Sequence, residues 1–344
     1  PLAEHGELVI QTSKGERTIR IRRVHLEEDT GKLTHVDGGS LLDLNRAGVP
    51  LLEIVSEPDI RSAEEAVAYG EALRHILRYL EVNSGDMEKG VIRFEANVSV
   101  RLASSKDGEP VPYGTRTEVK NLNSFRALER ATLYEIERQS KVLDSGGMVE
   151  QETLGWNDVS EKTYSQRSKE DAHDYRYFPE PDLPPLKMDE SWLTRVRSEL
   201  PELPRAKFQR FVTSYKLPVK DAARLVEEKA TADYFEAAVK RKTKNVNEKM
   251  IANWILGELF GLMKTRGETA DRLKVRPEAL AELVELVAGG EINQVTGREV
   301  LVEMSENGRS AAEIVAAKGL KQVSDAGFIA EIVRQTMEEC QGEV

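Results

Sequence analysis

LLDLNRAGVPLLEIVSEPDIR, residues 41–61, is the stretch around which the first part of this chain is organised. Residues 51–55 have the apolar run of a buried strand, and a single carboxylate, Glu53, interrupts it. A carboxylate left unpaired in an apolar setting is costly or stays protonated, so we expect a cation or strong donors opposite Glu53. Alternatively, Glu53 lies on the wet face of a half-buried strand, since it alternates with Leu52 and Ile54.

The composition limits the class of protein. The 344 residues, 40% hydrophobic and 32% charged, are typical of a soluble globular protein with two or three domains. A net charge of -11 argues against a generally basic coat, so any contact with nucleic acid is expected to be local. The single cysteine argues against disulfides and multi-cysteine zinc sites and fits a reducing cytoplasm. No apolar run reaches membrane-spanning length, so we predict no membrane association.

Two strands are predicted before residues 41–61. Residues 7–13 and 17–27 are predicted to form two strands joined by a turn. Three acids, Glu27, Glu28 and Asp29, follow at the end of the second strand, and they make either an exposed loop or a cation site.

Another pair of strands is predicted later in the chain. Residues 91–102 alternate so that Glu95 shares the polar face, and residues 115–121 place Glu118 and Lys120 on one face. If the two strands pair, this face suits phosphate and Mg²⁺, because carboxylates bind Mg²⁺ and cations bind phosphate. The alternative is a solvent-facing sheet of mixed charge.

The helical patterns predict the overall class. One helix is expected to begin at Ser62 with a capping box to Glu65, and a second to run from Phe125 to Leu143. Beyond about Pro201 the pattern is helical throughout, so we predict an α+β protein with a β-rich part and a separate all-helical part.

Basic residues cluster in two places of the helical part, and each cluster is either a phosphate-binding surface or a solvated helix face. The first cluster contains Arg205, Lys207, Arg210, Lys216, Lys220 and Arg224, and the second contains Lys240, Arg241, Lys242, Lys244 and Lys249.

Common catalytic motifs are missing from the sequence: it contains no P-loop, Rossmann fingerprint, GxSxG elbow or HExxH. Five glutamates lie on the predicted strands or at their ends: Glu27, Glu28, Glu53, Glu95 and Glu118. This inventory favours a Mg²⁺ and phosphate site over zinc or nucleophilic catalysis, although spacing alone leaves open whether the groups converge.

Five strings carry a resemblance to a known family, GatB, the B subunits of aspartyl/glutamyl-tRNA amidotransferases. They are HLEEDTGKLTH (25–35), LLDLNRAGVPLLEIVSEPDIRS (41–62), RFEANVSVR (93–101), EVKNLNSF (118–125) and DYRYFPEPDLPPL (174–186). The resemblance implies a β-rich, cradle-like kinase domain over 1–200, a helical domain over 201–308, and the start of a YqeY-like tail over 309–344.

The resemblance also implies an activity. In this family a heterotrimer of the A, B and C subunits converts Glu-tRNA(Gln), Asp-tRNA(Asn) or both to the amide form in the cytoplasm. The A subunit hydrolyses glutamine and channels ammonia, while the B subunit uses ATP and Mg²⁺ to phosphorylate the side-chain carboxylate of the aminoacyl group. The chain is thus expected to be a ligase subunit.

The resemblance also implies which residues bind the metal ion and ATP. The resemblance implies that Glu28 and Glu53 bind Mg²⁺, with Glu27, Glu95 and Glu118 as neighbours that serve a second cation. Lys120 is expected to act in catalysis, and Lys120 and Arg176 to bind the ATP phosphates.

Two departures qualify the resemblance. A metal-binding histidine expected near the family's N-terminus is not matched, so the sequence is expected to be a fragment, inactive alone, that lacks an N-terminal part and the C-terminal end. Glu95 stands where many relatives have aspartate, and its longer stem changes how a metal would be reached. Two alternatives stay open: a non-catalytic tRNA-binding and assembly module, and a metal-dependent nuclease or phosphatase.

Overall fold

The computed structural model describes residues 1–102, 111–168, 187–322 and 326–339. The chain divides into two units, Pro1–Glu199 and Leu200–Val344. The first combines sheets with helices, and all regular structure in the described part of the second is helical, which confirms the predicted α+β class.

Strands β1 (Ala3–Thr12) and β2 (Gly15–Glu28) open the first unit as an antiparallel hairpin, as predicted. Strands β3 (Lys32–Val36) and β4 (Gly39–Asp43) form a separate exposed hairpin. Strand β5 (Pro50–Ser56) then returns antiparallel to β2, so that the first sheet has the order β1-β2-β5. The stretch that contains Glu53 is therefore an edge strand of this sheet.

Helix α1 (Ala63–Tyr79) packs on one face of the first sheet through Tyr69 and Leu73. Its N-cap is Ser62, as predicted, and the Ser62 hydroxyl accepts a hydrogen bond from the Glu65 backbone N–H. The predicted capping box is wrong in its other half. The Glu65 carboxylate accepts from the backbone N–H of Arg61, 2.7 Å away, because it reaches one residue further back than the box requires.

The second large sheet has the order β6-β7-β8-β9, and helix α2 connects β7 to β8. Its elements are β6 (Phe94–Val98), β7 (Thr117–Leu122), α2 (Phe125–Asp144), β8 (Glu152–Asn157) and β9 (Lys162–Ser168). The predicted pairing of β6 with β7 is confirmed, and it is antiparallel. Strand β6 is shorter than the predicted strand over 91–102, because the alternating pattern outruns the pairing and Leu102 is 74% exposed.

Helix α1 also approaches the second sheet, through a glycine. A Cβ at Gly70 would lie 3.0 Å from the Phe125 ring and 3.2 Å from the Phe94 ring. The close approach of α1 to this sheet therefore depends on the fact that Gly70 has no Cβ. The first unit ends with helix α3 (Glu190–Glu199), which buries none of its residues.

The second unit is a group of helices around one hydrophobic core. They are α4 (Pro204–Thr213), α5 (Val219–Val226), α6 (Lys229–Arg241), α7 (Glu248–Trp254), α8 (Phe260–Arg266), α9 (Pro277–Ala288), α10 (Gln294–Asn307), α11 (Ala311–Lys318) and α12 (Ala326–Glu339). A π-helical turn, Ile255–Leu259, joins α7 to α8.

Phe211, Phe235 and Leu283 are fully buried in this core, and Ile314 of α11 belongs to the same cluster. The division at 308/309 into a helical domain and a tail stays a prediction. Across the described residues, every helix is too short or too polar to cross a lipid bilayer.

Candidate functional site

Three potential metal ligands meet on the first sheet. His25 and Glu27 lie on β2, and Glu53 lies on β5 directly opposite His25 in the antiparallel register. Each side chain offers one ligand atom, and these atoms all lie within 4.8 Å of one another. Residues at alternate positions of a strand share a face, and directly opposed residues do as well, so the register brings the three groups together.

A bulge in β2 decides which side chains share this face. Ile21 lies opposite Ser56 and Arg23 lies opposite Val55, so β2 has one extra residue at this point. The bulge shifts the alternation, and Val24 rather than Arg23 falls on the face of Ile54, which packs in the core beneath α1. His25 and the residues in phase with it consequently face away from that core.

Glu28 and Glu53 do not lie together. Glu28, opposite Pro50 at the end of β2, follows Glu27 directly and therefore points to the other face of the strand. It is exposed and does not belong to the cluster of His25, Glu27 and Glu53. The ligand role of Glu28 is implied by the family resemblance alone, and the structure brings Glu27 to Glu53 instead.

Glu53 has a cationic neighbour. Arg23 donates a hydrogen bond to Glu53 from Nη2 over 3.1 Å. The Glu53 side chain is 40% exposed. It therefore has the cationic partner expected of a buried carboxylate, and it also has the partial exposure expected on the wet face of a half-buried strand. A carboxylate has about four acceptor sites, so Glu53 can bind Arg23 and still offer an oxygen to a metal ion.

The roles of two residues near the cluster were not predicted from the sequence. His25 was not predicted as a ligand, although its alternation with Glu27 on one strand is visible in the sequence. Asp29 lies between two guanidinium groups, with Arg46 Nε 2.9 Å and Arg93 Nη2 2.5 Å from one carboxylate oxygen. Asp29 thereby ties the end of β2 to the segment that leads into β6.

A second charged group lies on the β6-β7 pair, on the face predicted from the alternation. The Lys120 ammonium is 3.0 Å from Glu95 and 3.5 Å from Glu118. Burial of the ammonium works against its charge, but the hydrogen bonds and charges of Glu95 and Glu118 outweigh it and raise the pKa of Lys120. Lys120 is therefore held as a cation, while Glu118 also accepts a hydrogen bond from Thr153 over 3.0 Å.

The two groups suit different parts of a metal and phosphate site. Two carboxylates and an imidazole, close together and partly buried, are a donor set that fits a divalent cation such as Mg²⁺ or Mn²⁺. Lys120 supplies a cation for phosphate oxygens. Arg176, predicted to bind ATP, lies outside the described residues, as does the whole 174–186 string.

Comparison with known proteins gives two family matches. The family described as the GatB/GatE catalytic domain matches residues 1–194, and the one described as the GatB domain matches residues 233–344. All of the candidate site residues lie within the first match.

Several curated relatives are similar over nearly the whole chain, and each is named as the B subunit of an aspartyl/glutamyl-tRNA(Asn/Gln) amidotransferase. The relative from Herpetosiphon aurantiacus is 50% identical over 341 residues, which cover 98% of this chain and 69% of the relative. The one from Myxococcus xanthus is 50% identical over 346 residues, which cover 100% of this chain and 71% of the relative. The one from Moorella thermoacetica is 49% identical, with coverage of 98% and 70%. These matches confirm the resemblance found in the sequence.

Proposed function

The chain belongs to the GatB family of aspartyl/glutamyl-tRNA amidotransferase components, and from that premise we propose that it performs the ATP-dependent step of tRNA-dependent amidation. The observation that carries the proposal is the convergence of His25, Glu27 and Glu53 in a half-buried cluster. Such a cluster suits binding of a divalent cation, which phosphoryl transfer from ATP requires.

The proposed reaction has two steps. In the first, the side-chain carboxylate of Glu-tRNA(Gln), Asp-tRNA(Asn) or both attacks the γ-phosphorus of ATP, which gives an acyl phosphate and ADP. In the second, ammonia attacks the acyl carbon and inorganic phosphate leaves, which yields the side-chain amide. Phosphoryl transfer needs little covalent chemistry from the protein, so positioning and charge neutralisation dominate.

His25, Glu27 and Glu53 are proposed to hold Mg²⁺. A divalent cation held by these residues would supply positive charge for the phosphate oxygens of ATP. Arg23 holds the Glu53 carboxylate in place through its hydrogen bond, and it adds positive charge beside the phosphates. These residues therefore bind and orient the phosphates.

Lys120 is proposed to contact a phosphate oxygen. Glu95 and Glu118 keep its ammonium protonated and limit its orientation, because both carboxylates lie beside it. A direct role for Glu95 and Glu118 as ligands of a second cation, and for Arg176 in ATP binding, is part of the same proposal.

The partners follow from the same premise. The relatives are named as subunits, so the chain is a component of an amidotransferase complex. We propose that the complex also contains the A and C subunits, that the A subunit supplies ammonia from glutamine, and that the assembly works on aminoacylated tRNA in the cytoplasm.

The test is ATP hydrolysis by the full-length protein in its assembled complex, with purified aminoacylated tRNA, with and without Mg²⁺. We expect phosphate release that requires both the metal and the aminoacyl group on the tRNA. Salt-sensitive tRNA binding without ATP turnover would instead identify a non-catalytic tRNA-binding and assembly module. Turnover with nucleic acid or phosphate esters but without ATP would identify a nuclease or phosphatase.

A further inference from the structure

Two guanidinium groups share one carboxylate where β2 ends, and we call them the Arg46–Arg93 pair. Arg46 Nε and Arg93 Nη2 approach the same oxygen of Asp29. The Asp29 side chain is only 13% exposed, whereas those of Arg46 and Arg93 are 45% and 48% exposed. Two cations that face solvent therefore cover one nearly buried anion, and the group keeps a surplus of positive charge.

The Arg46–Arg93 pair also keeps hydrogen-bond donors for a ligand. A guanidinium has five N–H donors. Arg93 donates to Asp29 from Nη2, and Arg46 donates from Nη2 to the Gly90 carbonyl over 3.0 Å. Within the described ranges, neither guanidinium forms an ion pair with a second carboxylate. Most of the donors of the pair can therefore reach an oxyanion from the solvent side.

Asp29 continues the ladder that carries the candidate metal ligands. Its N–H donates to the Val49 carbonyl over 2.8 Å, and its carbonyl accepts from the Gly48 N–H over 2.9 Å. Gly48 has a φ of +80° and forms a β-bulge on the β5 side, so the alternation of β2 is undisturbed. Asp29 thus shares a face with Glu27, about 7 Å further along the strand.

Arg93 connects this point to the second charged group. It directly precedes β6 and stands two residues before Glu95. The Glu95 carboxylate lies 3.0 Å from the ammonium of Lys120. The bond between Arg93 and Asp29 consequently links the candidate metal site of the first sheet to the Lys120 group of the second sheet.

The surroundings of Arg46 hold its guanidinium in place. Gly90 has a φ of +65°, and a Cβ at this position would lie 2.9 Å from Arg46 Nη1. A glycine therefore leaves the room that the guanidinium occupies. Since Asp29 and the Gly90 carbonyl both fix this group before a ligand arrives, less entropy is lost on binding.

A polyphosphate needs positive charge along its length, because each of its phosphoryl groups is negatively charged, and arginine forks match phosphate oxygens. We propose that the Arg46–Arg93 pair binds phosphate oxygens of ATP between the candidate metal site and Lys120, a proposal that rests on the proposed function. A purely structural tie between β2 and β6 would need one cation for Asp29, and the fold supplies two.

The test uses Arg46→Gln in the full-length protein, assembled with its partners. This variant removes one cation and leaves the bond between Asp29 and Arg93. Arg93→Gln is the second variant, since it leaves the pairing of Asp29 with Arg46. Arg22→Gln is the matched control, because it removes an exposed arginine of β2 that pairs with Glu57.

Three measurements separate binding from turnover. Titration with a fluorescent, non-hydrolysable ATP analogue gives the Kd for the nucleotide. Electron paramagnetic resonance gives the Kd for Mn²⁺ without nucleotide, and thermal unfolding checks the fold. Steady-state amidation gives the KM for aminoacylated tRNA.

We expect Arg46→Gln and Arg93→Gln each to bind the ATP analogue at least about tenfold more weakly, because each loses charge-assisted hydrogen bonds to phosphate. Arg46→Lys should recover part of the affinity, since it restores the charge without the planar fork. Mn²⁺ binding should not weaken, because a lost positive charge favours a nearby cation. The control and the KM for aminoacylated tRNA should be unchanged.

Unchanged affinity for the ATP analogue in both variants would overturn the proposal and leave the pair as a structural tie. An equal loss in Arg22→Gln would also overturn it, because the effect would then be one of general charge. A raised KM for aminoacylated tRNA with unchanged nucleotide affinity would assign the pair to the aminoacyl carboxylate instead. Failure of the proposed function is distinguishable, since the unmodified complex itself would then bind no ATP.

Discussion

His25 on β2 and Glu53 on β5 face each other directly across an antiparallel ladder, although 27 residues separate them in the sequence. Glu27 lies one alternation further along β2, on the same face. Because of this register, His25, Glu27 and Glu53 lie close enough to bind one ion together. Glu28 lies on the opposite face of β2, although it looks equivalent to Glu27 in the sequence.

The first prediction compares those adjacent glutamates. Glu27→Gln should lower kcat/KM for ATP-dependent amidation by at least about a hundredfold, since a divalent cation supplies several kcal/mol of charge stabilisation. Glu28→Gln should change it by less than about threefold, because Glu28 points to the opposite face of β2. Steady-state amidation by the assembled complex at several Mg²⁺ concentrations measures both effects. The reverse order of severity would show that Glu28 is the ligand.

A second prediction concerns acid stability at the other end of the first sheet. Arg20 donates hydrogen bonds to Asp59 at 2.6 and 2.8 Å from its guanidinium and at 3.0 Å from its backbone. These bonds outweigh the effect of burial and lower the pKa of Asp59 from 3.8 to about 2.

Because the folded pKa is depressed, the stabilisation is present above about pH 4 and is lost as the pH falls through 2. Arg20→Gln should return the pKa of Asp59 towards its usual value and flatten the rise in unfolding free energy between pH 2 and 4. An NMR titration of the carboxyl carbon measures the pKa. Arg22→Gln, which breaks the neighbouring pair with Glu57, should leave Asp59 unchanged. An equal shift in both variants would contradict the assignment to Arg20.

The third prediction tests the close packing at Gly70. Gly70→Val should destabilise the protein by about 1–3 kcal/mol, because its side chain would overlap the Phe94 and Phe125 rings. Gly261→Val is the matched control in α8, where an added Cβ meets no atom within 4 Å, and valine has a higher helix propensity than glycine. Urea denaturation should therefore show a loss for Gly70→Val alone. Equal losses in both variants would indicate a general effect of β-branching in these helices.

Most of the secondary structure follows from local pattern, and the exceptions have identifiable causes. The β1-β2 hairpin, α1, α2 and the helices of the second unit were predictable, because each has a regular period of apolar residues and a recognisable cap or turn. The alternation over 91–102 predicted a longer strand than β6, since alternation continues where no partner strand pairs with it. Pairing is a tertiary property that the local pattern does not contain.

The membership of the cluster of His25, Glu27 and Glu53 was harder to predict, because it depends on the β2 bulge. Apolar residues of β2 stand at Ile19, Ile21, Val24 and Leu26, so their spacing changes from two to three between Ile21 and Val24. That change is the signal of the bulge, and it places His25 and Glu27 on the face away from the core. The family resemblance points to this stretch, but a one-residue change of register decides which glutamate joins Glu53.

Amidation by the complex with Glu53→Gln, measured beside glutaminase activity and tRNA binding, is the sharpest test of the proposed metal site. The substitution keeps the size of the side chain and removes its charge, so it alters ion binding with little change in packing. We predict that ATP-dependent amidation falls by at least about a hundredfold while glutaminase activity and tRNA affinity persist. Amidation that survives unchanged would contradict the proposal, because Glu53 would then be a solvent-facing residue of β5 with no part in phosphoryl transfer.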